Sequence, residues 1–238
     1  MNAPVSLANF VNFIIAIAMV VRLGAHHRRV GGKPLKRFIW FYISFAIFWL
    51  LWAAPEIFVT NPYSVMATNI MGYVMLYVTS AIMVQIPFLF SGRKSIGTVL
   101  CAIIITAGVV FLIGRLINLQ PHIREIVGNR VYWRPVFAPW LRMMTGAAGG
   151  LAALTASIAF YYFGWRERVN RAIFMRSIYL GTGNATILCG AIVSFILSPT
   201  AGFAGVFAGS IFGAVGLFIM MHGIMREAQP QQTPNTTN

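Results

Sequence analysis

The sequence predicts an all-α fold, a polytopic membrane bundle of seven transmembrane helices, with the N-terminus outside and the C-terminus in the cytoplasm. Three observations carry this expectation. First, 58% of the 238 residues are hydrophobic and only 9% are charged, with a mean hydropathy of +0.76. A soluble domain carries about 25% charged residues, and a chain this poor in charge cannot cover a water-facing surface. Second, apolar runs recur along the chain, each near the roughly 20 residues that cross a hydrocarbon core as a helix. Third, the basic residues collect between alternate runs, as topology signals do.

The first run, Val5 to Leu23, ends at a basic stretch with His26, His27, Arg28 and Arg29. No Lys or Arg precedes it, so it lacks the positive flank of a signal peptide and reads as a retained helix. The second run is Phe38 to Val59, followed by the Asn61-Pro62 turn. The third, Val65 to Phe90, stops at Ser91-Gly92-Arg93-Lys94, and the fourth covers Ile96 to Ile117. A longer polar loop from Asn118 to Pro139 holds His122, Arg124, Glu125, Arg130, Tyr132, Trp133 and Arg134. The fifth run is Trp140 to Phe163, the sixth Ile173 to Leu197 and the seventh Ala204 to Ile224. Residues 1–225 thus form the membrane domain. The tail 226–238, rich in Gln, Pro, Asn and Thr, reads as disordered and cytoplasmic.

Charge sets the expected orientation. Of the 18 Lys and Arg residues, 13 lie in the odd-numbered loops and the tail. Five lie on the opposite side: Arg115, Arg124, Arg130, Arg134 and Arg142. The positive-inside rule puts the odd loops in the cytoplasm, in a bacterial inner membrane. The net charge of +14 therefore reads as topology and as affinity for anionic lipid headgroups. It does not indicate nucleic-acid binding, because no soluble segment carries a basic stripe interleaved with aromatics.

Polar residues inside spans are costly, so each is a candidate for function. Glu56, next to Pro55 near the outer end of the second span, is the only acid inside any run. Arg115 and Arg142 sit at comparable depth, and an ion pair with Glu56 is the least costly arrangement. Trp49, Trp52, Tyr73, Trp133 and Trp140 gather in the same outer half. Together these eight residues suggest an outward-facing pocket for a small, partly apolar ligand. Gly146, Gly150, Gly205, Gly209 and Gly213 form small-residue faces for close helix packing, within the bundle or in a homodimer. Asn184 reads as hydrogen-bonding glue between helices, and Gly181-Thr182-Gly183-Asn184 as the one stretch able to unwind.

No catalytic Ser/His/Asp set, paired carboxylates or phosphate-cradling loop is present, so an enzyme is not expected. Cys101 and Cys189 lack metal spacing. The histidines do not pair across spans as haem would require, and no cofactor or metal is expected. Asn69 to Tyr77 in the third span and Ser210 to Phe218 in the seventh share Ile, Gly, Val and Leu at matching offsets. A three-plus-one-plus-three parallel repeat would give such a likeness.

Arg28-Arg29 and Gly31-Gly32 precede the second span. With Gly72, the Arg166 to Arg171 cluster and the Gly209 to Gly216 segment, they give residues 5 to 225 a pattern that resembles the seven-transmembrane N-terminal sensor module of bacterial histidine kinases. The resemblance implies a receptor-like bundle in which an outer signal shifts helix positions. No kinase segment follows within these 238 residues, so the signal would pass to a separate membrane-protein partner at the basic loops. Two alternatives share the topology. One is a small-solute transporter of the SWEET type, although the Pro-Gln signature is absent from its expected spans. The other is an accessory subunit of a larger membrane complex.

Overall fold

The computed structural model describes residues 4–58, 61–127, 130–136 and 138–225; within them, the side chains at 4, 30, 55–58, 127, 130–132 and 196–203 lie outside the described set. Seven helices form an all-α bundle: α1 Pro4–Val30, α2 Lys33–Phe58, α3 Pro62–Phe90, α4 Lys94–Ile117, α5 Pro139–Arg166, α6 Arg171–Ala191 and α7 Ser198–Met225. A π-helical turn, Ile192–Leu197, joins α6 to α7. All seven helices are long and apolar enough to cross a membrane, and the chain is a multi-pass membrane protein. The tail expected to be disordered lies outside the described residues.

The helix ends have local causes. Asn61 caps α3 by accepting from the Tyr63 amide at 2.9 Å, and Pro62 takes a first-turn position where its missing N–H costs nothing. Asn170 caps α6 by accepting from the Ile173 amide at 3.2 Å. The reversal between α1 and α2 uses Gly31 and Gly32 at φ 71° and 105°, a left-handed region open chiefly to glycine.

α1, α2, α3, α5, α6 and α7 pack as a closed ring, each against its neighbours, with α7 returning onto α1. α4 stands outside it, in the groove between α3 and α5. It is the most apolar and the least buried of the seven spans. Val99, Ile103, Val110, Ile113 and Ile117 are exposed along it, as suits a lipid-facing helix.

The ring is tied by polar contacts other than the one expected of Asn184. Asn184 donates to the Leu180 carbonyl of its own helix at 2.7 Å, so it does not bridge helices through that donor. The bridges come from hydroxyls and from α1. Tyr77 hydrogen-bonds Thr145 at 3.1 Å and Ser157 donates to the Gly181 carbonyl at 2.8 Å. Asn12 donates to the Ser210 carbonyl at 2.9 Å. The segment 181–184 is regular helix within α6; the departure from α-geometry falls instead at the π-helical turn.

The loop between α4 and α5 is not wholly irregular. Ile123–Val127 and Arg130–Arg134 pair as an antiparallel hairpin, β1–β2, with Arg124 opposite Trp133. The bundle therefore has two unlike ends. The hairpin end gathers the α2–α3, α4–α5 and α6–α7 connections. The basic end gathers the α1–α2, α3–α4 and α5–α6 connections.

Candidate functional site

The hairpin end brings a cation and a histidine under cover. Arg115 lies in the last turn of α4 and is 1% exposed. Its Nη1 donates to the Val136 carbonyl at 2.8 Å, tying α4 to the segment that enters α5. Beside it, Gly114 lets α5 approach, because a Cβ there would lie 2.9 Å from both Leu141 Cδ2 and Trp140 Cη2.

His122, just before β1, is 4% exposed. Neither ring nitrogen has a hydrogen-bond partner among the described residues. Burial, reinforced by the charge of nearby Arg115, holds its pKa down at about 4. The imidazole is therefore neutral at ordinary pH, with one N–H donor and one lone pair unspent. Leaving such a buried group unsatisfied costs about 1–3 kcal/mol.

The hairpin above carries its own ties. Arg134 Nε meets Glu125 Oε1 at 2.6 Å, with the two side chains 54% and 38% exposed. The Arg124 guanidinium stands 5.9 Å from the centre of the Trp133 ring, and Trp133 itself is buried.

Inward from Arg115 runs a column of aromatic rings. Arg115 and Tyr73 are electrostatic neighbours. Trp52 meets Tyr73 edge-on, with ring centres 5.2 Å apart. Tyr73 packs on Phe111 at 5.1 Å and on Phe195 of the π-helical turn at 6.3 Å. Gly72 makes this fit: a Cβ there would lie 2.6 Å from the Trp52 ring. The indole nitrogens of Trp49 and Trp52 are buried without a hydrogen-bond partner among the described residues.

The residues expected from sequence thus divide. Arg115, Tyr73 and Trp52 belong to one connected group. Trp49 lies deeper, against Phe45, Phe48 and the Gly213 position of α7. Trp140 is 49% exposed on the flank of α4 and α5, and Arg142 is half-buried in the first turn of α5. Glu56 falls in the last turn of α2, and its side chain lies outside the described residues, as does the expected pairing. His122 and the Val136 carbonyl were not singled out from sequence. Nothing in residue type or spacing marks a loop histidine as buried.

The glycine faces are taken up within the chain. A Cβ on Gly146 would meet Phe195, one on Gly150 would meet Leu188, and one on Gly213 would meet Trp49. Gly205 is buried, and Gly209 packs directly on Gly190 and Ser194 of the α6 side.

Among the described residues no cluster of three His, Cys, Asp or Glu side chains forms a metal-binding group. Comparison with known proteins finds no family model that matches the chain, and no curated protein matches it significantly. Fold and site together define a seven-helix multi-pass membrane protein with a buried Arg–His pair beneath a β-hairpin.

Proposed function

We propose that this protein is a receptor-like membrane module that binds a small ligand at its hairpin end and signals to a separate partner at its basic end. The observation that carries the reading is His122. It is a buried imidazole with both nitrogens unspent beside a buried guanidinium, a pairing suited to a hydrogen-bonding, anionic ligand. In this reading the hairpin end faces outward and the basic loops face the cytoplasm of a bacterial cell, following the charge split.

The aromatic column gives the site a route into the bundle. It links α2, α3, α4 and the π-helical turn, an element often found at functional positions. A ligand that moves Arg115 or Tyr73 would shift ring packing between discrete arrangements and so move helix ends at the far side.

A transporter would place its site between the halves near the middle of the membrane. The cavity there, bounded by Phe45, Thr79, Ser80 and Gly149 among others, holds about 50 Å³, space for a water or two.

The test uses the full chain in nanodiscs and a panel of small aliphatic and aromatic carboxylates. A binder raises the melting temperature of the wild type and loses that effect in Arg115→Gln and His122→Asn. A shift that persists in both variants contradicts the assignment.

A further inference from the structure

The basic end holds a second site. Between α3, α5 and α6 lies a cavity of about 550 Å³, within the range of small-molecule sites. Arg93, Arg166 and Arg176 line it together with a single carboxylate, Glu167. Its floor is apolar, formed in part by the buried Phe160 and Leu180.

The chemistry is layered by depth. Arg93 and Arg166 are exposed and sit where α3 and α5 reach their ends. Phe160 lies six residues deeper on α5 than Arg166, about 9 Å along the helix axis. Arg176 stands between the layers, one turn above Leu180. Its Nη2 donates to the Ile224 carbonyl at 3.2 Å, while its Nε is buried without a hydrogen-bond partner among the described residues. With no carboxylate partner among the described residues, this cation has a donor left for a further acceptor.

We infer that this cavity binds an anionic phospholipid, with the phosphate on the three guanidiniums and the start of an acyl chain against Phe160 and Leu180. Three observations favour a lipid over a free anion. Arg93 and Arg166 lie at the ends of membrane-spanning helices, where headgroups would meet them, and Arg176 lies five residues inside α6. The polar groups lie at the rim and the apolar ones below, the order in which an amphiphile inserts. Guanidiniums also recognise phosphate through paired N–H donors, and basic pockets between transmembrane helices bind anionic headgroups. The site is separate from the hairpin end and does not depend on the function proposed for that end.

The experiment is native mass spectrometry of the full chain in a zwitterionic detergent, titrated with phosphatidylglycerol, phosphatidylcholine or inorganic phosphate. The wild type should retain phosphatidylglycerol at least about tenfold more tightly than phosphatidylcholine. Arg93→Gln and Arg166→Gln, both at exposed positions that leave folding intact, should each weaken retention by about fivefold, and Arg176→Gln by at least as much. Arg134→Gln, exposed at the other end, should leave it unchanged. Equal retention of the two lipids, or an unchanged affinity in the Arg93→Gln/Arg166→Gln double variant, overturns the proposal. So does full displacement of phosphatidylglycerol by millimolar inorganic phosphate, which would make the occupant a free anion.

Discussion

The two ends of the bundle use the same side chain in opposite ways. At the hairpin end Arg115 is fully covered, donates to a backbone carbonyl and adds to the burial that lowers the pKa of a neighbouring histidine. At the basic end Arg93 and Arg166 stand exposed around an open cavity. A charge taken out of water is costly to leave unmatched, whereas an exposed one is screened and contributes little to stability. The buried Arg115 should therefore matter for folding, and the exposed Arg93 and Arg166 for what binds beside them.

The sharpest contrast comes from truncating the two kinds of arginine. Arg115→Ala removes a buried side chain and strands the Val136 carbonyl, and should destabilise the protein by about 3 kcal/mol. Arg166→Gln should change stability by less than about 0.5 kcal/mol. Reversible unfolding in mixed micelles reads both, and equal effects would erase the distinction between the ends.

A comparable effect should appear with pH. The pKa of His122 is lowered in the folded state, from 6.5 to about 4. Between those values the unfolded chain binds more proton than the folded one, so the His122 contribution is lost as pH falls from about 6.5 to 4. The full contribution is about 3 kcal/mol. His122→Leu should flatten the stability profile over that window, while Arg93→Gln should leave its slope intact.

Smaller effects test the aromatic column. Gly72→Ala should cost about 1–3 kcal/mol by driving a methyl group into Trp52. Gly24→Ala, with open space around it, should be neutral or stabilising by up to about 1 kcal/mol. The least effect belongs to the exposed Glu125–Arg134 pair on the hairpin, worth less than about 1 kcal/mol in a double-mutant cycle.

Helix number and bounds were legible in the sequence because lipid imposes one rule on every span: about 20 apolar residues with the charges at their ends. Observed helices run a few residues past the apolar runs, as with α1 reaching Val30 through its basic last turns. Those turns are polar and gave no hydropathy signal. By composition the hairpin segment reads as a polar loop, although Gly128-Asn129 between Val127 and Arg130 is a pair typical of two-residue hairpin turns. A five-residue strand beside long apolar helices is easily missed by its pattern alone.

The site was less legible. Arg115 could be singled out because a charge inside a span is rare, and Tyr73 and Trp52 by depth. His122 gave no signal, since burial of a loop residue depends on how the hairpin folds down. The cavity at the basic end was hidden for a similar reason. Its arginines come from the α3–α4 connection, the last residue of α5 and the second turn of α6, and read as ordinary topology signals until α3, α5 and α6 are set side by side.

The central claim is that the hairpin end holds a desolvated, neutral histidine beside a buried arginine. Histidine-selective labelling with ¹³C and NMR titration in nanodiscs measures it directly, with His122→Gln assigning the resonance. The His122 ring should stay neutral well below pH 6 and titrate near pH 4, and Arg115→Gln should raise its midpoint. A midpoint near 6.5, the value of a solvated imidazole, would show that His122 is wet and that the hairpin end holds no such site.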